Sequence, residues 1–384
     1  MIYLDNNATT PLHPKVKEKI INFLDFYGNP SSVYEEGRKV RAMVEEAREN
    51  IADFLNCDSD EIIFTAGGSE ANNTVIKGAT SCCAFCNTSH THIISSVIEH
   101  PSVMNTLECL EKQNVEVTYL PVDKYGLINP KDVENAIKEN TSLITIMYAN
   151  NETGTIQPIE EIIKIARENN IQIHTDAVQA IGKIPIDLQK LDVDYLSLSG
   201  HKIYAPKGIG VLFHRKGKKP LCPLISGGHQ ENSMRAGTEN TIGIIGLGEA
   251  VIQLKIEMDD EVKKIKFLRD KLENELKKNI SNISINGHLE KRLPGVLNVS
   301  FNNIEGESIL LRLDMHGISI STGSACSSGS LEPSYVITAL NVPPEQAHSS
   351  IRFSLGRENT EEDIDKTIIA VKETVEFLRS ITAI

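Results

Sequence analysis

Residues Pro158 to Gln179 read PIEEIIKIARENNIQIHTDAVQ. A proline stands at a plausible first helical position, and residues 158–169 follow a helical pattern. An apolar strand, Ile171 to His174, comes next and ends in the carboxylate of Asp176. Helix followed by strand, with an acid at the strand's carboxyl end, is the local signature of an α/β sheet whose ligands bind beyond the strand ends.

The same alternation extends both ways. Residues 13–26 place Val16, Ile20, Phe23 and Leu24 on one helical face. Residues 37–55 do so with Val40, Met43, Val44, Ala47, Ile51, Phe54 and Leu55. Short β-rich runs stand at 62–64, 92–94, 115–120, 143–148, 195–198 and 209–213, and a second proline-opened helix at 101–113. This predicts a largely parallel sheet covered on both faces. From about 240 to 280 the pattern is long, charged and helical, which reads as a connector. Apolar runs at 296–301 and 350–355 and a closing helix follow. The expectation is a large α/β domain to about residue 255 and a smaller α+β domain after it; 384 residues favour two domains over one.

Composition excludes several classes. Forty per cent hydrophobic and 24% charged residues are ordinary globular values. A net charge of −13 argues against general nucleic-acid binding, which needs clustered Lys and Arg. The first residues, MIYLDNNATTPLHP, have neither a basic region nor an apolar run, and no membrane-length apolar stretch occurs anywhere. A cytoplasmic address is expected, with the seven cysteines as free thiols rather than a disulfide framework.

Six segments carry candidate chemistry. Ser199-Gly-His201-Lys202 closes an apolar strand; a lysine there can form a Schiff base with an aldehyde cofactor, although alone it reads as a turn lysine. Asp176 could keep a pyridine nitrogen protonated, or simply cap the next helix. Gly67-Gly68-Ser69 precedes a helix, where small residues let backbone N–H groups approach a phosphate. His100, after another strand, could stack on a ring and move protons. Cys326, in Ser321-Thr-Gly-Ser-Ala-Cys326-Ser-Ser-Gly-Ser330, has small flexible neighbours suited to a mobile nucleophile and unsuited to a core thiol. Arg352, in a strand of alternating pattern, offers a bidentate grip on a carboxylate.

The order and spacing of these segments resemble the cysteine desulfurases of the NifS/IscS group, class-V aminotransferase-like enzymes of pyridoxal phosphate (PLP) fold type I. The resemblance runs almost end to end: YLDNNATTP, YGNPSS, GGSE, SVIEHPSV, NNETG, HTDAVQA, SGHKIYAPKGIG, GGHQE with MRAGTEN, SACSSGSLEPSYV and SIRFSLGRENT. It implies that Lys202 holds the PLP aldehyde, Asp176 pairs with the ring nitrogen, Gln179 meets the ring hydroxyl and Asn151 lies close to the ring. Gly68, Ser69, Ser199 and His201 would bind the phosphate, and Thr238 the phosphate of a partner subunit in a homodimer. Arg352, helped by Asn151, would hold the carboxylate of L-cysteine. Cys326 would take the substrate sulfur as a persulfide, leaving alanine, and pass it to an iron–sulfur scaffold or another acceptor protein. The resemblance also implies that Cys326 transiently ligates an iron–sulfur cluster during transfer, with no resident metal. The resemblance also divides the chain into a large domain of residues 15–255 and a small one of 1–14 and 256–384, with Cys326 on a mobile loop of about 321–333.

Two competing functions are a selenocysteine lyase of the same fold and a sulfur-delivery subunit whose catalysis is secondary. An aminotransferase leaves Cys326 without a task. Cys82, Cys83, Cys86, His90 and His92 fall within eleven positions, but adjacent cysteines suit a closed metal site poorly, so a surface loop with incidental thiols is expected.

Overall fold

The structure, a computed structural model, describes residues 1–80, 91–218, 221–323 and 333–382. Cys326 lies outside the described residues, as do Cys82, Cys83, Cys86 and His90. The chain runs β1 (Ile2–Tyr3), α1 (Pro14–Phe23), α2 (Glu35–Leu55), β2 (Ile62–Thr65), α3 (Gly68–Thr80), β3 (His92–Ser96), α4 (Pro101–Glu111), β4 (Glu116–Leu120), α5 (Pro130–Ala136), β5 (Thr141–Thr145), α6 (Ile159–Glu168), β6 (Gln172–Asp176), β7 (Tyr195–Ser199) and β8 (Gly210–His214). It continues through α7 (Thr241–Asn279), β9 (Ile283–Asn286), β10 (Val296–Phe301), α8 (Gly306–Met315), β11 (Ile318–Ser319), α9 (Tyr335–Ala339), α10 (Pro344–His348), β12 (Ser350–Ser354) and α11 (Glu361–Thr382).

Among the described residues seven strands form the main sheet, in the order β2-β8-β7-β6-β5-β3-β4. Neighbours are parallel except at β8, which runs antiparallel to both β2 and β7. Strands β3, β6 and β7 are almost entirely buried because helices cover both faces. That burial explains why their sequences read as short apolar runs rather than alternating ones. Helix α6 shows how the packing works: Ile159, Ile162, Ile163 and Ala166 lie on its buried face, and each isoleucine burial is worth roughly 1.5–3 kcal/mol.

The expected connector is one 39-residue helix, α7. Its first half, Ile244 to Leu254, packs into the core around the main sheet, and its second half, Ile265 to Leu276, into a separate core. The second core lies on the antiparallel sheet β12-β10-β9, on α11, and on Leu4 from the N-terminal segment. The N-terminal segment joins this sheet through a parallel bridge from Asp5 to Ser354, and β1 pairs with β11 in a separate two-stranded sheet. Among the described residues no helix is long and apolar enough to cross a membrane.

Candidate active site

Because β2, β3, β5, β6 and β7 all point the same way, their carboxyl ends share one edge of the sheet. A cavity of about 190 Å³ opens there. Gly68 and Ser69 follow β2, His100 follows β3, Asn151 follows β5, Asp176 ends β6 with Gln179 just after it, and Ser199, His201 and Lys202 end β7. Arg352 comes from β12, across the cavity. The structure thus brings these ten sequence-chosen residues to one cavity. Thr238 is exposed and does not line the cavity of its own chain.

Asp176 is the buried acid. Its Oδ2 accepts from Asn72 Nδ2 at 2.7 Å and its Oδ1 from the Val178 N–H at 3.0 Å. The second N–H of Asn72 goes to Ser102 Oγ at 2.9 Å, and that hydroxyl meets His100 Nδ1 at 2.8 Å. The Ser102 backbone N–H also donates to His100 Nδ1, at 3.1 Å. A nitrogen that accepts a backbone N–H carries no proton, so a neutral His100 has its proton on Nε2. Burial holds His100 below the usual histidine range; Asp176 pulls it back up and Lys202 pushes it further down. His201, 3.2 Å from Thr9 Oγ1, is lowered to about 4 by burial and by the charges of Lys202 and Lys207.

Lys202 Nζ donates to the backbone carbonyls of Asn7 at 2.6 Å and Ala8 at 2.7 Å. Gln179 Nε2 shares the Asn7 carbonyl at 3.0 Å. Arg352 is 1% exposed, pairs with Asp5 at 2.7 Å, and donates to the Asn151 carbonyl at 3.1 Å. The N-terminal segment is therefore a wall of the cavity. Asn7, Asn72, Ser102 and the Asp5 partner of Arg352 were not singled out as site residues from sequence. Asn7 lies inside the quoted YLDNNATTP run and Asn72 two residues after GGSE, but asparagine there reads equally well as a turn or helix-face residue.

His92, the one member of the Cys/His cluster among the described residues, begins β3 and is buried. Its ring nitrogens meet Thr141 Oγ1 at 2.7 Å and Thr118 Oγ1 at 2.8 Å. Among the described residues no group of three or more His, Cys, Asp or Glu is arranged to hold a metal ion.

The residues present fit a phosphorylated pyridine aldehyde. Ser69 and Gly68 open the 13-residue helix α3, whose unpaired N–H groups favour a phosphate. A Cβ on Gly68 would stand 2.6 Å from Val178 Cγ2, so glycine is what lets this turn close on the wall. Two buried polar atoms at the cavity, Asn72 Oδ1 and Arg352 Nε, have no hydrogen-bond partner among the described residues. An amine, a buried carboxylate and an arginine face one space.

The aminotransferase class-V family model matches residues 2–367. The chain belongs to this family. Within the class-V enzymes it lies in the NifS/IscS group. The protein named cysteine desulfurase IscS from Dictyoglomus turgidum is 51% identical over 383 residues, covering 99% of this chain and 96% of that one. The one of the same name from Methanosarcina thermophila is also 51% identical, over 99% of this chain and 93% of its own. A solved structure titled as a NifS-like protein superposes with a TM-score of 0.91 at 38% identity, covering 98% of this chain and all of that one.

Proposed function

We propose that this enzyme is a PLP-dependent cysteine desulfurase that converts L-cysteine and the Cys326 thiol into L-alanine and a Cys326 persulfide. The observation that carries this reading is the convergence of Lys202, Asp176, His100 and Arg352 on one cavity beside a helix N-terminus. Lys202 holds the aldehyde carbon of the cofactor, Asp176 its ring nitrogen, Gln179 its ring oxygen, and Gly68, Ser69, Ser199 and His201 its phosphate. When bound, the cofactor supplies an electron sink for the pair released as bonds at the substrate Cα and Cβ are rearranged.

The chain's own groups do the rest. Arg352 grips the substrate carboxylate, already oriented by Asp5 and the Asn151 carbonyl. Lys202 Nζ, as a free amine, would take the Cα proton. His100, neutral with its proton on Nε2 and braced by Ser102, moves a proton at the cavity wall. The Cys326 thiolate attacks the substrate sulfur: an S–S bond forms, the Cβ–S bond breaks, and its electron pair stays with the carbon skeleton. Protonation of that skeleton at Cβ and return of the Cα proton give alanine.

The same reading makes the enzyme a cytoplasmic homodimer in which Thr238 reaches the partner's phosphate, and makes the persulfide the sulfur donor to an acceptor protein. It also divides the chain at α7 into a large domain of residues 15–255 and a small one of 1–14 and 256–384.

The experiment is to incubate the PLP-loaded protein with L-cysteine and a reductant, and to measure alanine and sulfide for wild type and for Cys326→Ala. Wild type should form both in equal amounts, and the variant should form neither at a comparable rate. Cysteine turnover unchanged in Cys326→Ala sinks the persulfide assignment.

A further inference from the structure

Lys183 lies four residues after Gln179, one layer beneath the cavity, and the mechanism above does not use it. It lines a second, small cavity of about 20 Å³ that also touches Lys202. Its Nζ lies 2.6 Å from Gln179 Oε1 and 2.9 Å from Asn7 Oδ1. Among the described residues no carboxylate pairs with it. The charged groups that face it are Lys202, Arg352 and, from α7, Glu261. Burial first, then the charges of Lys202 and Arg352, push its pKa down to about 7, with Glu261 opposing them.

An amide side chain has one accepting end and one donating end, and a lysine head group offers donors. Two amide oxygens therefore turn toward Lys183, and the two amide nitrogens turn away. The Gln179 Nε2 goes to the Asn7 carbonyl, the same oxygen that takes Lys202 Nζ. The Asn7 Nδ2 goes to the Asn151 carbonyl at 2.9 Å, the oxygen that also takes Arg352 Nη1. Lys183 and Asn7 thus tie Lys202, Gln179, Asn151 and Arg352 into one hydrogen-bonded frame.

We propose that Lys183 is a positioning residue: by holding the oxygens of Gln179 and Asn7 it makes Gln179 present an N–H to the cavity and keeps the Asn7 carbonyl against Lys202. The inference rests on the reading of this cavity as a PLP site, where the ring oxygen requires a donor. A Gln179 amide turned the other way would set a carbonyl oxygen against that oxygen.

The test is a double-substitution cycle on PLP affinity, read by equilibrium dialysis and by the visible absorbance of bound cofactor, without turnover. Lys183→Met should weaken PLP binding about tenfold, the worth of one good hydrogen bond at a buried site, but less than twofold in a Gln179→Leu background. Equal losses in both backgrounds overturn the inference, because Lys183 would then support the fold rather than act through Gln179. Wild-type affinity in Lys183→Met overturns it too. Lys183→Arg, which keeps the donors, should bind within about threefold of wild type; a loss as large as methionine's counts against the donor role. If the methionine protein does not fold, Lys183→Gln takes its place under the same non-additivity criterion. A wild-type protein that binds no PLP brings down the proposed function itself, a different outcome from any of these.

Discussion

Arg352 and Asp5 meet across 2.7 Å, with the arginine 1% exposed and the aspartate on the segment that laces the chain's start onto β12. The pair fixes one edge of the guanidinium fork and leaves Nε without a partner. A cation held this way is preorganised for a second carboxylate, since its own carboxylate partner already sets its plane.

Arg352→Ala should therefore raise the KM for cysteine about ten- to a hundredfold, the worth of a charge-assisted hydrogen bond. Arg352→Lys should recover little, because a point charge cannot grip Asp5 and substrate in one plane. Steady-state alanine formation measures both, and a KM within twofold of wild type in Arg352→Ala would remove the residue from the substrate site.

Lys202 and Asp176 divide cofactor duties between linkage and charge. Lys202→Ala should bind PLP without the visible band of a lysine-bound aldehyde; an unaltered band means the wrong lysine. Asp176→Asn should keep the band but weaken PLP binding about tenfold or more, because the carboxylate's charge-assisted bond to the ring nitrogen is lost. No helix follows Asp176, so it is not the cap its sequence position allowed, and affinity equal to wild type would mean that it only braces the turn at Val178 and Asn72.

His174 ties acid sensitivity to the sheet beneath the site. It lies on β6 between Thr145 Oγ1 at 2.8 Å and Ser197 Oγ at 3.0 Å, and burial pushes its pKa down to about 3. Near pH 7 it is neutral in the folded and unfolded chain alike. Between its ordinary value of 6.5 and about 3, the unfolded chain takes a proton that the folded one refuses, so stability falls as pH drops through that window. His174→Gln should flatten this part of the profile, as read from urea midpoints at pH 7, 5 and 4. An acid slope identical to wild type assigns the loss to other groups.

Glu231 holds the segment that carries Thr238. Its carboxylate takes both Arg48 Nη atoms at 2.8 Å and the Phe64 N–H at 2.9 Å, and residues 231–233 all have positive φ. Three consecutive left-handed residues, none of them glycine, persist only where surrounding contacts impose them. Glu231→Ala should cost about 1.5–3 kcal/mol, because Arg48 would lose its two-pronged partner and keep only Glu45 and the Ile62 carbonyl. It should also speed proteolysis between residues 222 and 240. Full stability in the variant would show that other contacts carry the turn.

Much of the fold is legible along the chain. Helices α2, α6 and α11 keep an apolar period, and β3, β6 and β7 are apolar runs because both faces of the sheet are covered. Strands β1 and β11 are two residues each and too short to show a period, and α9 and α10 are single turns. The antiparallel run of β8 is also invisible in sequence, since a buried strand reads the same in either direction.

The sequence by itself determined which residue types stand at the strand ends: Ser69, His100, Asp176 and Lys202 each follow an apolar run, and that local order is written residue by residue. Only the tertiary structure decided which side chains outside those runs complete the site. Asn7 reaches Lys202 from 195 positions away, Asp5 reaches Arg352 from 347, and Asn72 reaches Asp176 from 104. The physical reason is that hydrogen bonds of this kind depend on where the chain's two ends and its helices pack against the sheet edge. That packing is set by the two hydrophobic cores meeting along α7, not by any local pattern.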